Sequence, residues 1–245
     1  MSALVDSHIH LYEYGDSWVK YCSGRYSMIA VSDDLTSSLE TFDICRRCPH
    51  AVPAVGIHPW NAGRVSVEDS LKAIEKLVSE YNIYFLGEVG LDRIFHPETF
   101  EIQRKLFEGF LRIASEHRLG LSIHAAGAWR DVLDLLRKYE VAAVVFHWYT
   151  GPLELIDEIV NEGFFIGINP ALFIQKKHEV VVEKAPIEAI LTESDGPYRY
   201  RGLSLGPELL SDLLEKISQL KHVGVDEVFE QVARNFSKLV SSVRR

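Results

Sequence analysis

The stretch Leu4-Val5-Asp6-Ser7-His8-Ile9-His10 joins an apolar start directly to two histidines that are two residues apart. This pattern predicts a short strand, and both imidazoles point to one side of it because successive side chains alternate across a strand. The two rings lie about 6.6 Å apart along the strand, so both can reach one divalent ion. Two side chains do not complete such a site, and later strands must supply the other ligands.

The composition is that of a folded protein with a substantial core, since 47% of the 245 residues are hydrophobic and 25% are charged. The net charge of −9 excludes an overall basic field that would attract nucleic acid non-specifically. The sequence contains neither an apolar run near the ~20 residues of a membrane span nor a signal-peptide pattern. We therefore expect a cytoplasmic protein without a membrane partner.

Cysteine usage supports an intracellular location. Two of the three cysteines, Cys45 and Cys48, form a single C-x-x-C in a predicted helix. A tetrahedral thiolate zinc site would need a second pair, which the sequence lacks. We expect these thiols to be reduced and to have no structural role.

Apolar segments that predict strands alternate with amphipathic helical segments along the chain. Several strands are continuous apolar runs, such as Ile83-Tyr84-Phe85-Leu86, which are typical of parallel strands covered on both faces. Eight such units predict a TIM (β/α)8 barrel. No linker divides the chain, so we predict a single domain over residues 1–245. The alternative is an open doubly wound sheet, which no Gly-x-Gly-x-x-Gly turn supports. The predicted strands cover residues 3–6, 27–31, 51–57, 83–87, 121–124, 141–146, 164–168 and 189–193.

Histidine, glutamate and aspartate side chains, which can bind metal ions, come at the carboxyl ends of these strands. Barrel enzymes carry their catalytic residues at this end. The carboxyl ends of the strands surround one concave surface of the barrel, called the cup below. Metal-binding side chains from separate strands are therefore expected to meet there. Nitrogen and oxygen donors without thiolate suit Zn²⁺, Mn²⁺, Fe²⁺ or, where oxygen dominates, Mg²⁺. The strand-end residues are His8, His10, His58, Glu88, His124, His147 and Asp195.

These residues outnumber the ligands of one tetrahedral ion. The surplus favours two divalent ions about 3.5–4 Å apart that share a carboxylate. Glu88 is the best candidate for the shared ligand, because it is the carboxylate among the mid-chain strand ends. We expect Asp195 to hold the first ion and to accept the proton of an attacking water.

Six segments, in order, resemble the successive signatures of the TatD-type metal-dependent hydrolases in the amidohydrolase superfamily, and together they span nearly the whole chain. The resemblance implies a TIM barrel, two divalent metals (Zn, Mn, Mg, Fe or Co) and deoxyribonuclease or phosphoesterase activity. It implies that His8, His10, Glu88 and Asp195 hold one ion, and that Glu88, His124 and His147 hold the other. The segments are VDSHIHL (5–11), GIHP (56–59), GEVGLD (87–92), IH (123–124), HWYTG (147–151) and ESDGPY (193–198).

The sequence departs from the family pattern around the expected substrate. Ala125-Ala126 stand where the family usually has Ser-Arg, which removes a phosphate-binding guanidinium. Arg93, Arg199 and Arg201 remain as candidate substrate-binding residues. Residues 198–201 alternate tyrosine with arginine, as a contact to single-stranded nucleic acid would, although a solvated surface loop is the alternative. We expect His58 to help hold the phosphate or the attacking water.

The leading hypothesis is a metal-dependent phosphodiesterase, a deoxyribonuclease that uses a metal-activated water on DNA or a small phosphoester. The charge of −9 and the missing arginine favour an alternative, a hydrolase of a small ester, lactone or amide. A third hypothesis is a non-catalytic, metal-holding scaffold protein.

Overall fold

The computed structural model describes residues 3–81, 83–141 and 143–243, and in it eight parallel strands follow one another around a barrel in sequence order. The barrel closes between its last and first strands, where the Thr192 hydroxyl donates to the Val5 carbonyl (2.7 Å) and the Asp195 N–H donates to the His8 carbonyl (2.9 Å). The predicted TIM barrel is confirmed. Its strands are β1 (Leu4–Ile9), β2 (Tyr26–Ala30), β3 (Ala51–Val55), β4 (Phe85–Gly90), β5 (Gly120–His124), β6 (Ala143–Phe146), β7 (Phe165–Ile168) and β8 (Ile190–Thr192). Position 142 of the predicted strand 141–146 and the chain ends lie outside the described residues.

Helices lie between the strands and pack against the outside of the barrel. The Asp34 side chain caps the first helix by accepting from the Ser37 N–H at 2.8 Å. Within the described ranges, no helix is both long and apolar enough to cross a membrane. The helices are α1 (Leu35–Arg47), α2 (Val67–Glu80), α3 (Phe100–His117), α4 (Trp129–Tyr139), α5 (Glu154–Asn161), α6 (Lys176–Lys184), α7 (Leu210–Lys221) and α8 (Val225–Ser241).

The strands are buried on both faces, as their continuous apolar runs predict. In β4, for example, Phe85, Leu86 and Val89 are inaccessible to solvent although their side chains do not all point the same way. The barrel interior and the layer between barrel and helices therefore form one hydrophobic core. This packing holds the strand ends, and the polar residues on them, in a rigid frame.

The segment after β1 forms 3-10 helix over Leu11–Cys22 with an interruption at Gly15. The Tyr21 hydroxyl donates to Glu208 Oε1 at 2.7 Å, which ties this segment to the chain that precedes α7. The segment starts directly after His10, so its first residues lie at the rim of the strand-end cup.

The expectation of reduced thiols without a structural role is wrong for Cys48. Cys22, at the end of the 3-10 segment, forms a disulfide with Cys48 at the end of α1. Cys45, the other half of the C-x-x-C, is a buried free thiol. The pairing depends on how the 3-10 segment packs against α1, and the spacing of three cysteines does not determine it.

Thiol titration checks this pairing. Protein that is denatured without a reductant is expected to react with a thiol reagent at one cysteine, Cys45. After reduction all three cysteines should react. Three reactive thiols in the unreduced, denatured protein would show that the Cys22–Cys48 bond is absent.

His178 is fully buried in α6. It shares one helical face with Val181 and Val182, at the i, i+3 and i+4 spacing of a core-facing stripe. Neither ring nitrogen has a hydrogen-bond partner among the described residues. Burial lowers the pKa of His178 to about 3, so the ring is neutral in the folded protein.

The buried ring makes the protein sensitive to acid. In the unfolded chain His178 gains a proton below its ordinary pKa of about 6.5, whereas in the folded chain it does not until about pH 3. Protonation of the unfolded chain therefore lowers the free energy of unfolding as the pH falls through 6.5. Between pH 7.5 and 5.5 this loss of stability is about 1 kcal/mol. In urea denaturation, His178→Leu should remove this part of the pH dependence. The matched variant His117→Gln, at an exposed position of α3, should retain it. An unchanged pH dependence in His178→Leu would contradict the assignment.

Candidate metal centre

The two histidines of β1 point to the same side of the strand, as predicted, and meet a carboxylate from β4. His8 Nε2 and His10 Nε2 lie 3.3 Å apart. Glu88 Oε2 lies 3.2 Å from His8 Nε2 and 3.5 Å from His10 Nε2. Asp195, which follows β8, places Oδ1 3.8 Å and 3.6 Å from the same two nitrogens. Side chains from three separate strands thus converge on one buried spot.

The other oxygen of Glu88 faces a second pair of histidines. Glu88 Oε1 lies 2.7 Å from His124 Nδ1 at the end of β5 and 3.2 Å from His58 Nε2 after β3. The two ring nitrogens are 3.3 Å apart. Glu88 therefore presents one carboxylate oxygen to each of two histidine clusters, which is the position expected of a shared ligand.

His147, which follows β6, lies beside His8 and Asp195. Its ring stacks on His8 with the centroids 3.6 Å apart, and its Nε2 is 3.6 Å from Asp195 Oδ1. The third residue beside Glu88 and His124 is thus His58 in this arrangement, where the family resemblance implies His147. The assignment of ligands to individual ions stays a prediction.

Asp92 orients His124. Its Oδ2 lies 2.9 Å from His124 Nε2 and accepts a hydrogen bond from Trp60 Nε1 at 2.6 Å. Its Oδ1 accepts from the backbone N–H groups of Ile94 and Phe95 at 2.8 and 2.7 Å. With its Nε2 proton held by this fixed carboxylate, His124 keeps Nδ1 turned toward Glu88. Asp92 lies within the GEVGLD segment, but the sequence alone does not show this contact.

His147 and His8 are also oriented by a contact to the ring nitrogen that points away from the cup, Nδ1 in both residues. Glu193 Oε1 lies 3.0 Å from His147 Nδ1 and accepts from the Trp148 N–H at 2.7 Å. Ser122 Oγ lies 2.8 Å from His8 Nδ1. In both histidines the Nε2 atom therefore faces the cup. Glu193 and Ser122 are residues that the sequence analysis did not identify.

The electrostatics of the cup centre on Glu88. Burial alone would raise the pKa of its carboxyl, but His58, His8 and His147 surround it and hold that pKa well below the ordinary value. Glu88 is therefore ionised in a site that is almost closed to solvent. Burial lowers the pKa of His8 to about 4, so that ring is neutral and its nitrogen lone pair is available.

Three other histidines are charged in the absence of a cation, among them His10, whose pKa, despite burial, is held well above the ordinary value by the charge of Asp33. Burial lowers their pKa values, but for His124 the hydrogen bonds to Asp92 and Glu88, and for His147 the charges of Glu193 and Asp195, outweigh burial and raise the pKa to about 9. A metal ion would have to displace these protons.

The donor set fits divalent ions. Ligand atoms about 2.0–2.1 Å from a tetrahedral ion lie about 3.3 Å apart, close to the 3.2–3.8 Å separations of His8, His10, Glu88 and Asp195. All donors are imidazole nitrogens or carboxylate oxygens, which suits Zn²⁺, Mn²⁺, Fe²⁺ or Co²⁺. Groups with atoms close enough to hold one ion are His8–His10–Glu88, His8–His147–Asp195 and His58–Glu88–His124.

Comparison with known proteins decides the family. The family described as TatD related DNase matches residues 5–241. The chain belongs to the TatD-related DNase family. It is therefore a metal-dependent hydrolase, as the ordered segments of its sequence predict.

Relatives of this TatD-family chain cover most of its length. The uncharacterized metal-dependent hydrolase MJ1582 of Methanocaldococcus jannaschii is 31% identical over 191 residues, which cover 75% of this chain and 73% of the relative. The human deoxyribonuclease TATDN3 is 28% identical over 213 residues, 80% of this chain and 74% of the relative. The crystal structure of YJJV, a TatD homolog from Escherichia coli, superposes with a TM-score of 0.87 at 19% identity and covers 97% of this chain and 98% of its own.

The predicted substrate-binding arginines of this TatD-family hydrolase have different surroundings. Arg93 Nη2 lies 3.1 Å from both carboxylate oxygens of Asp131, and its guanidinium packs over the Phe100 ring. Arg93 therefore forms a surface ion pair, and its role in substrate binding stays a prediction. Arg199 and Arg201 are exposed on a short hairpin formed by β9 (Arg199–Tyr200) and β10 (Leu203–Ser204).

The hairpin contacts the cup through Trp148, the residue after His147. The Trp148 ring meets Tyr200 and Tyr198 edge to face, with centroids 5.0 and 6.1 Å apart. Arg201 lies over the Tyr200 ring at 5.3 Å. Aromatic and basic groups thus alternate beside the candidate metal centre.

Proposed function

We propose that this protein hydrolyses phosphodiesters with two divalent ions, and that DNA is its substrate. The observation that carries the proposal is Glu88, whose two oxygens face two separate histidine clusters. Two bound ions would neutralise charge on the phosphoryl group and lower the pKa of an attacking water. That the barrel is one domain over residues 1–245, and that it is cytoplasmic, stay predictions of the sequence.

Asp195 is proposed to accept the proton of the attacking water. Its Oδ1 lies within 3.6–3.8 Å of the Nε2 atoms of His8, His10 and His147, so the carboxylate borders the space where water and substrate would meet. Its backbone N–H bonds to the His8 carbonyl, which fixes the residue against β1. A carboxylate held in place beside the nucleophile is the arrangement required of a general base.

His58 is proposed to donate a hydrogen bond to the phosphate or to the attacking water. Its Nδ1 accepts from the Trp60 N–H at 3.2 Å, so the neutral ring carries its proton on Nε2. That nitrogen faces Glu88 Oε1 in the cup. In His124, by contrast, the nitrogen away from the cup faces the carboxylate of Asp92 and not a backbone N–H, while its Nδ1 faces Glu88 as His58 Nε2 does. The difference favours a donor role for His58, although the same nitrogen lies close enough to Glu88 and His124 to bind an ion with them.

The hairpin supports a nucleic-acid substrate. Tyrosine rings and guanidinium groups, side by side at the rim, suit stacking against bases and pairing with phosphates of a single strand. A human relative carries the name deoxyribonuclease. Because the chain has a net charge of −9, the binding of a DNA strand would depend on local positive groups such as Arg199 and Arg201.

Cleavage of single-stranded DNA tests the proposal. We expect metal-dependent cleavage of a labelled single strand with at least one of Mg²⁺, Mn²⁺, Co²⁺ and Zn²⁺, and none in EDTA. Absence of cleavage with all four ions would contradict the deoxyribonuclease function while leaving the metal centre to be tested separately.

A second candidate is hydrolysis of a small ester, lactone or amide. Two observations favour it, because each reduces the positive charge available to a phosphate. Arg93 is paired with Asp131, and Ala125 and Ala126 carry no charged group. The double variant Arg199→Ala/Arg201→Ala tests whether the hairpin binds DNA. On a DNA substrate it should lose activity and salt dependence while retaining activity on bis(p-nitrophenyl) phosphate. A wild-type preference for neutral esters or lactones would favour the second candidate.

A further inference from the structure

Asp33 lies two residues after Val31, at the same rim as the candidate ligands. Its Oδ1 is buried, has no hydrogen-bond partner among the described residues, and lies 3.5 Å from His10 Nδ1. His10 Nδ1 is also buried and likewise has no partner in the described part of the chain. His10 as a whole is only 8% exposed, so water cannot readily take the place of a protein partner. Asp33 Oδ1 and His10 Nδ1 thus face each other, and each could satisfy the hydrogen-bonding capacity of the other.

We propose that Asp33 is a positioning residue, which accepts the Nδ1 proton of His10 and so directs the His10 Nε2 lone pair toward a metal ion held with His8 and Glu88. The inference rests on the metal centre of the proposed function. A neutral imidazole has one protonated nitrogen and one lone pair. A carboxylate on one side therefore decides which nitrogen can bind a metal on the other. The present 3.5 Å exceeds a usual N–H···O distance of about 3 Å, so a small ring rotation completes the bond.

Asp33 is held firmly enough for this role. The Tyr12 hydroxyl donates to its Oδ2 at 2.6 Å, which leaves Oδ1 for His10. The Asp33 N–H donates to Ser37 Oγ, and its carbonyl accepts from the His58 N–H, each at 2.9 Å. The residue thus connects β2 to the rim of β3. Its side chain cannot turn toward solvent without breaking the Tyr12 contact.

The other candidate ligands follow the same rule. His124 is oriented by Asp92, His147 by Glu193 and His8 by Ser122. His147 is the nearest parallel to His10: each has a buried Nδ1 without a formed hydrogen bond among the described residues, and each Nδ1 lies beside a carboxylate, at 3.0 Å from Glu193 and 3.5 Å from Asp33. Glu13 provides a competing explanation, because His10, Glu13 and Asp33 have atoms close enough to hold an ion of their own. The two explanations predict different metal stoichiometries.

Zinc binding to Asp33→Asn tests the proposal, with the metal-free wild type and variant compared by chelator competition. We expect one ion to bind about 10- to 100-fold more weakly, with the number of ions at saturation unchanged. The visible spectrum of the Co²⁺-substituted protein should change in parallel. Tyr12→Phe should show a smaller weakening, and Asp33→Glu should recover part of the affinity. The matched control is Asp34→Ala, which removes the N-cap of α1 and should lower the melting temperature without changing zinc affinity.

Two results would overturn the inference. One is wild-type zinc affinity in Asp33→Asn. The other is a saturating stoichiometry that falls by one while the remaining ions keep their affinity, because Asp33 would then be a ligand of a separate ion with Glu13. His10→Ala distinguishes failure of this inference from failure of the proposed function. If His10→Ala loses an ion and Asp33→Asn does not, only the role of Asp33 is wrong. If neither variant affects zinc binding, the proposed metal centre is wrong as well.

Discussion

Replacement of Glu88 by glutamine is expected to lower kcat/KM for a phosphodiester by about 1,000-fold or more and to reduce the number of tightly bound ions. The carboxylate offers one oxygen to the His8–His10 pair and the other to the His58–His124 pair. An amide has one neutral oxygen and an NH₂ group in place of two charged oxygens, so neither cluster retains the carboxylate ligand of position 88. Loss of several kcal/mol of charge stabilisation corresponds to this rate effect.

Metal analysis and steady-state kinetics on the same preparation check the Glu88 prediction. The matched variant is Glu101→Gln, which makes the same change at an exposed position of α3 and should retain both ions and full activity. Circular dichroism should show both variants folded. A folded Glu88→Gln protein with wild-type ion content and activity would show that this carboxylate does not connect the two clusters.

Replacement of Asp195 by asparagine is expected to lower kcat by about 100- to 10,000-fold, the usual contribution of a general base. The substitution is well suited to the position, because Asp195 has a φ of 53° and asparagine tolerates this left-handed conformation. The loss should therefore report the carboxylate and not backbone strain. Activity on bis(p-nitrophenyl) phosphate at saturating metal measures it.

The control for Asp195 is Asp212→Asn, an exposed position in α7, which should have wild-type kinetics. Retention of wild-type kcat in Asp195→Asn at saturating metal would rule out Asp195 as proton acceptor. If activity were recovered fully by raising the metal concentration alone, Asp195 would act as a ligand without a role in proton transfer.

The barrel and its strand-end residues could be predicted from sequence because both depend on local patterns. Continuous apolar runs indicate buried parallel strands, and polar residues directly after them must lie at one end of a closed sheet. The convergence of His8, His10, Glu88, His124 and Asp195 follows from this topology. It does not require knowledge of any long-range side-chain contact.

Other features depend on contacts between distant parts of the chain, which no local pattern records. Asp92 meets Trp60 across 32 residues, and Glu193 meets the Trp148 backbone across 45. For the same reason the ion pair of Arg93 with Asp131, 38 residues away, could not be foreseen. The partner of Cys48 was missed because it comes from the 3-10 segment. The segments that contain Asp92 and Glu193 were a usable signal, since carboxylates next to expected ligands often orient them.

Anomalous scattering from crystals grown with Mn²⁺ would test the metal centre most directly. The arrangement of Glu88 predicts two peaks in the strand-end cup, about 3.5–4 Å apart, with one oxygen of Glu88 bound to each ion. Absence of any peak within bonding distance of Glu88, in crystals whose protein is active with Mn²⁺, would contradict the two-ion centre.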